Sequence, residues 1–222
     1  MCGRFTLTLD ANQFYNAFPW LNNVAEISPR YNIAPSQPVA VVSNQQPKQL
    51  DFFSWGLIPS WAKDPSIANR LINARSETIA EKPSFRNAYR RRRCLVLADG
   101  FFEWQSISGK QGKTPFYFRL KSGEPFAFAG LWENWHALDG SEIRSCTIIT
   151  TDANSLIEPI HDRMPVILPK YSFAMWLNPF EQPVDKLNPL LIPFPAEDMT
   201  AIQVSPLVNN AKFDTPECIF PG

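Results

Sequence analysis

A cysteine stands second in the chain, directly after Met1. Once Met1 is removed, Cys2 carries a thiol and a free α-amine on adjacent carbons. Unperturbed, the amine titrates near ~8 and the thiol near ~8.5, so both have a nucleophilic fraction close to neutrality. Such a vicinal aminothiol condenses with an aldehyde: the amine forms an imine, and the thiol closes a thiazolidine ring. A Met-Cys start also arises by chance, so Cys2 alone decides nothing. A second reactive group is Glu103, in Asp99-Gly100-Phe101-Phe102-Glu103-Trp104. Facing inward among these aromatics it would be desolvated, and its carboxyl would rise toward the range of a general acid or base. Facing outward it would be an ordinary surface acid. Strand alternation puts Glu103 on the face of Phe101, opposite Phe102 and Trp104.

Two further segments carry polar groups at chemically useful spacing. In Ile160-His161-Asp162-Arg163-Met164-Pro165, His161 is one of only two histidines, placed to shuttle a proton, and Arg163 is placed to hold a phosphate. A simple surface turn is the alternative. His136, in Asn134-Trp135-His136-Ala137, has no such company and reads as structural. In Leu71-Ile72-Asn73-Ala74-Arg75-Ser76-Glu77, an amide and a guanidinium two residues apart share a face of any extended segment. The run Arg90-Arg91-Arg92-Arg93, beside Arg86, offers a phosphate track or merely a solvated end.

These residues need a scaffold of short elements, and the composition favours one. Among 222 residues there are 21 prolines and 9 glycines, with 45% apolar and 19% charged residues. Length and balance fit one globular domain, or two small ones, built from stiffly joined short elements. Asp10–Phe18 has apolar residues at helical spacing with Asp10 as cap and Pro19 as stop. Strands are expected at 39–42, 49–55, 94–98, 101–104, 116–119, 126–132, 145–151, 166–168 and 200–204, and short helices at 77–80, 85–89 and 173–177, the last capped by Ser172. The proline-rich stretch 179–195 reads as a surface excursion. Many strands, few helices and no βαβ alternation indicate an α+β fold: a single domain, 1–222, with a barrel-like, mostly antiparallel β core and a few short flanking helices.

Charge and cysteine usage narrow the function classes. Net charge is zero, but the chain through Gly100 holds 12 lysines and arginines against 7 acids, and the remainder 9 against 14. A local basic face for a phosphate backbone is therefore open, although sequence halves need not map onto faces. The four cysteines lie far apart, without the spacing of a zinc site, and Cys94 and Cys146 sit in apolar runs as buried thiols. No stretch approaches the roughly 18 apolar residues of a membrane span. A cytoplasmic protein without metal is the expectation.

Taken in order, Met1-Cys2-Gly3-Arg4-Phe5, Arg30-Tyr31-Asn32-Ile33-Ala34-Pro35, Trp55-Gly56-Leu57-Ile58-Pro59-Ser60-Trp61, Asn73-Ala74-Arg75-Ser76-Glu77-Thr78, Arg92-Arg93-Cys94-Leu95, Ala98–Trp104, Phe128-Ala129-Gly130-Leu131-Trp132 and His161–Pro165 form a pattern. It resembles the SRAP, or "SOS response-associated peptidase", family from residue 1 to about Lys212. The resemblance implies a cofactor-free, monomeric sensor of abasic sites in single-stranded DNA, nucleoid-associated when bound. Met1 is removed by autoproteolysis or an aminopeptidase, and Cys2 then traps the sugar aldehyde as a thiazolidine DNA-protein crosslink. By the same resemblance Asn73 positions the Cys2 amine, Glu103 moves protons, and His161 assists sugar opening and crosslink reversal. Arg4 and Arg75 grip flanking phosphates, joined by Arg163, and Pro35 and Trp61 form a wedge between bases. The chain departs from the pattern at Ala62, where some relatives carry a second tryptophan, and in the loosely matched block Val204–Asn210. Two rivals stand beside this: a peptidase or amidase with Cys2 as nucleophile, and a non-covalent single-strand binder.

Overall fold

The apolar runs of the sequence become the walls of a closed barrel. The structure is a computed structural model and describes residues 2–22, 27–106, 112–137 and 139–222. Its strands are β1 (Arg4–Leu7), β2 (Arg30–Ile33), β3 (Pro38–Ser43), β4 (Asp51–Trp55), β5 (Asn73–Arg75), β6 (Arg93–Ala98), β7 (Gly100–Ser106), β8 (Lys113–Leu120), β9 (Phe126–His136), β10 (Glu142–Asp152), β11 (Arg163–Pro165), β12 (Ile167–Leu168) and β13 (Met199–Gln203). The helices are α1 (Ala11–Ala17), α2 (Arg86–Arg91), α3 (Phe173–Trp176) and α4 (Val184–Leu187), with several short 3-10 helices.

The barrel ring runs β3-β4-β10-β9-β6 and back to β3. All of its seams are antiparallel except β4–β10, which is parallel. β11, β12 and the short β5 extend this sheet, β5 lying parallel to β10. Gly130 is required where β9 crosses the interior, since a Cβ there would come within 2.8 Å of the Cys94 sulfur. A second, antiparallel sheet has the order β13-β8-β7-β1-β2. Its inner aromatics join it to the barrel. Phe5 meets Trp55 and Phe128 edge-on at 5.1 and 5.7 Å, and Phe101 stacks on Phe118 at 5.2 Å. Residues of both sheets lie in one continuous buried cluster. The outer face of β7 and β8 carries a smaller cluster of Phe102, Tyr117, Val204, Val208 and Cys218.

The α+β class with a barrel core agrees with the sequence reading, and α1 forms with Asp10 accepting from the Gln13 amide in a capping box. Several local expectations do not hold. Residues 77–80 form turns, not a helix. Ser172 does not cap α3, because its hydroxyl donates to the Pro169 carbonyl. The 179–195 stretch is more than an excursion, since it contains α4 and buries Leu187 and Leu191.

Three arginines of the run, Arg91, Arg92 and Arg93, are committed to partners within the protein, and Arg90 with nearby Arg86 is exposed. Arg93 is fully buried and donates to five carbonyl oxygens, those of Tyr89, Arg90, Trp176, Asn178 and Phe180. The first two belong to the last turn of α2, whose carbonyls lack helical partners. Burial lowers the Arg93 pKa to about 10, so it stays charged at neutrality. Arg92 pairs with Glu133 at 2.6 Å and Arg91 with Glu181 at 2.8 Å. All four cysteines are free and buried. No described helix is long and apolar enough to cross a membrane.

Candidate functional site

The register of β1 against β7 sets the site. Arg4 pairs with Phe102, so the next step along both strands brings Gly3 and Cys2 to the level of Glu103 and beyond. Cys2 is 0% exposed, and its thiol lies 3.7 Å from the Arg4 carbonyl oxygen. From the other sheet comes Asn73. β5 lies in parallel on β10, pairing Asn73 with Ile148, and the Asn73 amide nitrogen donates to the Cys2 carbonyl at 2.8 Å. The Asn73 side-chain oxygen is buried and accepts from no donor among the described residues.

Glu103 faces inward with Phe101, as alternation required, and is 2% exposed. Desolvation pushes its carboxyl up to about 7. The Cys2 thiol is pushed up as well, first by burial and second by the Glu103 charge beside it. With its amine still in a peptide bond, Cys2 is therefore a poor nucleophile.

His161 sits on a loop that β7 holds in place. The Gln105 amide, two residues beyond Glu103 on β7, donates to the Pro159 carbonyl at 3.0 Å and docks the loop that carries the imidazole. Asp162 and Lys113 act electrostatically on both Glu103 and His161. The His161 Nδ1 lies 3.0 Å from both the Arg163 main-chain nitrogen and the Asp162 carboxylate. An amide N–H can only donate, so Nδ1 accepts, and the exposed Asp162 holds no proton from it. Burial lowers the His161 pKa, which agrees with a neutral ring carrying its hydrogen on Nε2.

The other residues singled out by sequence are more scattered. Arg75, two residues beyond Asn73 on β5, is exposed, and its side chain engages no partner among the described residues. Arg163 is 8% exposed. It grips Glu77 with two bonds of 2.8 and 2.9 Å, Asp152 at 2.7 Å and the Thr150 carbonyl at 2.8 Å, tying together β10, β11 and the turn after β5. Half-buried Arg4 donates to Asn32, Val208 and Asn209. Pro35 precedes Ser36, which holds a left-handed φ of 70°; such strained non-glycine positions concentrate at functional sites. Trp61 is 57% exposed. No described contact brings Pro35 or Trp61 to Cys2.

So Cys2, Asn73 and Glu103 come together, while His161 sits on a loop tied to β7 and Arg75 lies two residues beyond Asn73. Sequence reasoning missed Gln105, Lys113 and the C-terminal segment that holds Arg4, which falls in and after the loosely matched block Val204–Asn210. Among the described residues no group of three or more His, Cys, Asp or Glu side chains could hold a metal. A cavity of about 750 Å³ lined by Phe18, Trp20, Phe173 and Leu177 lies elsewhere and shares no lining residue with this cluster.

Residues 1–211 match the family model "SOS response associated peptidase (SRAP)". The chain is 47% identical over 223 residues to the abasic site processing protein YoqW of Bacillus subtilis, covering 99% of each chain. It is 33% identical over 271 residues to the abasic site processing protein HMCES of Rattus norvegicus, covering all of this chain and 76% of the relative. A crystal structure of a Bacteroides thetaiotaomicron protein superposes with a TM-score of 0.89 at 28% identity, with 100% of both chains covered.

Proposed function

Because the chain belongs to the SOS response associated peptidase (SRAP) family, we propose that it processes abasic sites in single-stranded DNA by covalent capture at Cys2. The reading is supported above all by the meeting of Cys2, the Asn73 amide and the buried Glu103 carboxyl. Met1 leaves by hydrolysis of its bond to Cys2, and peptide cleavage goes no further. The freed amine attacks the aldehyde carbon of the opened deoxyribose. The resulting carbinolamine loses water to give an imine, and the Cys2 sulfur adds to the imine carbon while nitrogen takes a proton. One water is released overall. An imine alone hydrolyses readily, so the sulfur makes the adduct last.

Each side chain has a defined task in this scheme. The unfilled Asn73 oxygen accepts from the new amine and aims its lone pair. Glu103 takes the ammonium proton and returns it to the departing hydroxyl. Neutral His161 offers Nε2–H to the sugar ring oxygen, and the same donor serves reversal. Arg75 meets a flanking phosphate, and Arg4 follows with its uncommitted donors. Exposed Trp61 and the Pro35 turn stack against bases beside the lesion, as aromatic platforms do for single strands. Arg163 acts through its ties to Glu77 and Asp152, holding Arg75 and His161 in register.

The pH dependence has a definite sign. A base that must be ionised, with a pKa of about 7, gives a capture rate that falls as pH drops through neutrality. Glu103→Gln is expected to slow capture about 10²–10⁴-fold and to flatten that limb. Rates read by denaturing gel across about pH 5–9 check this; a Gln variant keeping the wild-type limb removes Glu103 from the role. Arg75→Glu is expected to weaken binding of intact single strands and to reduce the slope of log affinity against log salt by about 0.7. Fluorescence anisotropy at several salt concentrations measures both, and an unchanged slope rules out a phosphate contact. The proposal as a whole is tested by mixing processed protein with a single strand holding one abasic site. A heat-stable shifted band supports it; turnover of peptides without any band supports the peptidase instead.

A further inference from the structure

Residues 205–214 cross the outer side of β1 and β7 as a strap, and its contacts land beside the reacting pair. Val208 packs on Phe102 and Tyr117, on the face of β7 away from Glu103. The Val208 and Asn209 carbonyls accept from Arg4 at 2.8 and 3.5 Å, and Asn32 Oδ1 takes a third Arg4 hydrogen at 2.9 Å. The Asn209 side-chain oxygen accepts from the Trp104 indole at 2.6 Å. Arg4 lies two residues after Cys2, and Trp104 one residue after Glu103. One exposed asparagine thus holds both neighbours of the chemistry, through separate atoms.

The strap does not depend on that asparagine for its place. Asp214 accepts from the main-chain nitrogens of Tyr31 and Asn32, and the Asn32 amide donates to the carbonyls of Val208, Asn210 and Phe213. Altering Asn209 therefore leaves the segment anchored. An arginine offers five donors; with three engaged here, two are left for a phosphate. A guanidinium already fixed in orientation loses less freedom when it binds.

We propose that Asn209 is a positioning residue of the DNA site. It holds Trp104 by its side chain and Arg4 by its main chain, fixing the start of β1, which Cys2 precedes, and the middle of β7, which carries Glu103, and presenting a preset Arg4 to a strand phosphate. This rests on the capture reading above and adds a residue that acts through others.

The test compares wild type, Asn209→Ala, Trp104→Phe and the double variant. Two quantities are read: affinity for an intact single strand, and capture rate at saturating abasic strand. Each single change is expected to reduce both about three- to tenfold, the scale of one hydrogen bond. The double variant should be no worse than either single, because both delete the same bond. Asn209→Asp keeps an acceptor for Trp104 and should restore the saturated capture rate. Its added charge beside Arg4 should still weaken affinity, a split that a general folding defect does not produce. Single variants that match wild type, or effects that add in the double variant, overturn the proposal while leaving the capture reading intact. A wild type that captures nothing overturns the reading of the site and this inference with it.

Discussion

Replacing Cys2 with alanine is expected to abolish heat-stable capture of an abasic strand, the largest functional effect of any substitution considered. Alanine keeps a free α-amine after Met1 is removed, so an imine can still form. It lacks the sulfur, so that imine reverts in water. Borohydride should therefore restore a band for Cys2→Ala, by reducing the imine, and Cys2→Ser should behave in the same way. The measurement is a denaturing gel run with and without reductant. A stable band from Cys2→Ala without reductant would remove the thiol from the mechanism. The unprocessed chain should also fail to close the ring, since burial and the Glu103 charge push the Cys2 thiol up and the nitrogen of Cys2 itself is locked in a peptide bond.

The largest effect on stability is expected far from this chemistry. Arg93→Ala strips the donor from five carbonyls in a buried region, and unmet buried polar groups cost about 1–3 kcal/mol each before relaxation. With partial rearrangement we expect a net loss of roughly 3–5 kcal/mol, a large share of the ~5–15 kcal/mol that holds a typical domain together. For a chain of this size that lowers Tm by roughly 6–20 °C. Arg93→Lys keeps the charge but cannot span the same oxygens, so it should recover only part of the loss. Thermal and urea unfolding measure both variants. A loss below about 1 kcal/mol for the alanine variant, the range of surface changes, would show that the carbonyls find other donors.

Arg93 also shows where sequence reading stops. Four successive arginines look like one charged feature, yet only the last begins a strand and turns inward. Its partners come from α2 and from a segment more than 80 positions away. The strands with dense apolar runs, such as β6 and β9, were legible because burial on both faces leaves a local signature. β1 and β2 were not. Arg4–Leu7 and Arg30–Ile33 are short, partly polar and broken by an irregular register, and they become strands by pairing with one another. β5 is three residues long and owes its shape to parallel pairing with β10.

The same division runs through the site. The inward face of Glu103 followed from alternation with Phe101, a local property. That Asn73 would meet the Cys2 carbonyl followed from no spacing, since 71 residues separate them. Arg163 was legible as a cation but not as a tie, because the Glu77 it grips lies 86 positions upstream. Likewise nothing near Trp104 announces Asn209, 105 residues on.

Capture closes a ring through an amine and a sulfur of one residue, and intact-mass spectrometry of the adduct reads that ring. A single species is expected, equal to the chain without Met1 plus the abasic strand, less one water, with the strand carried on residue 2 and its sulfur no longer open to alkylation. An adduct that retains Met1, or one whose Cys2 sulfur still alkylates freely, would contradict it.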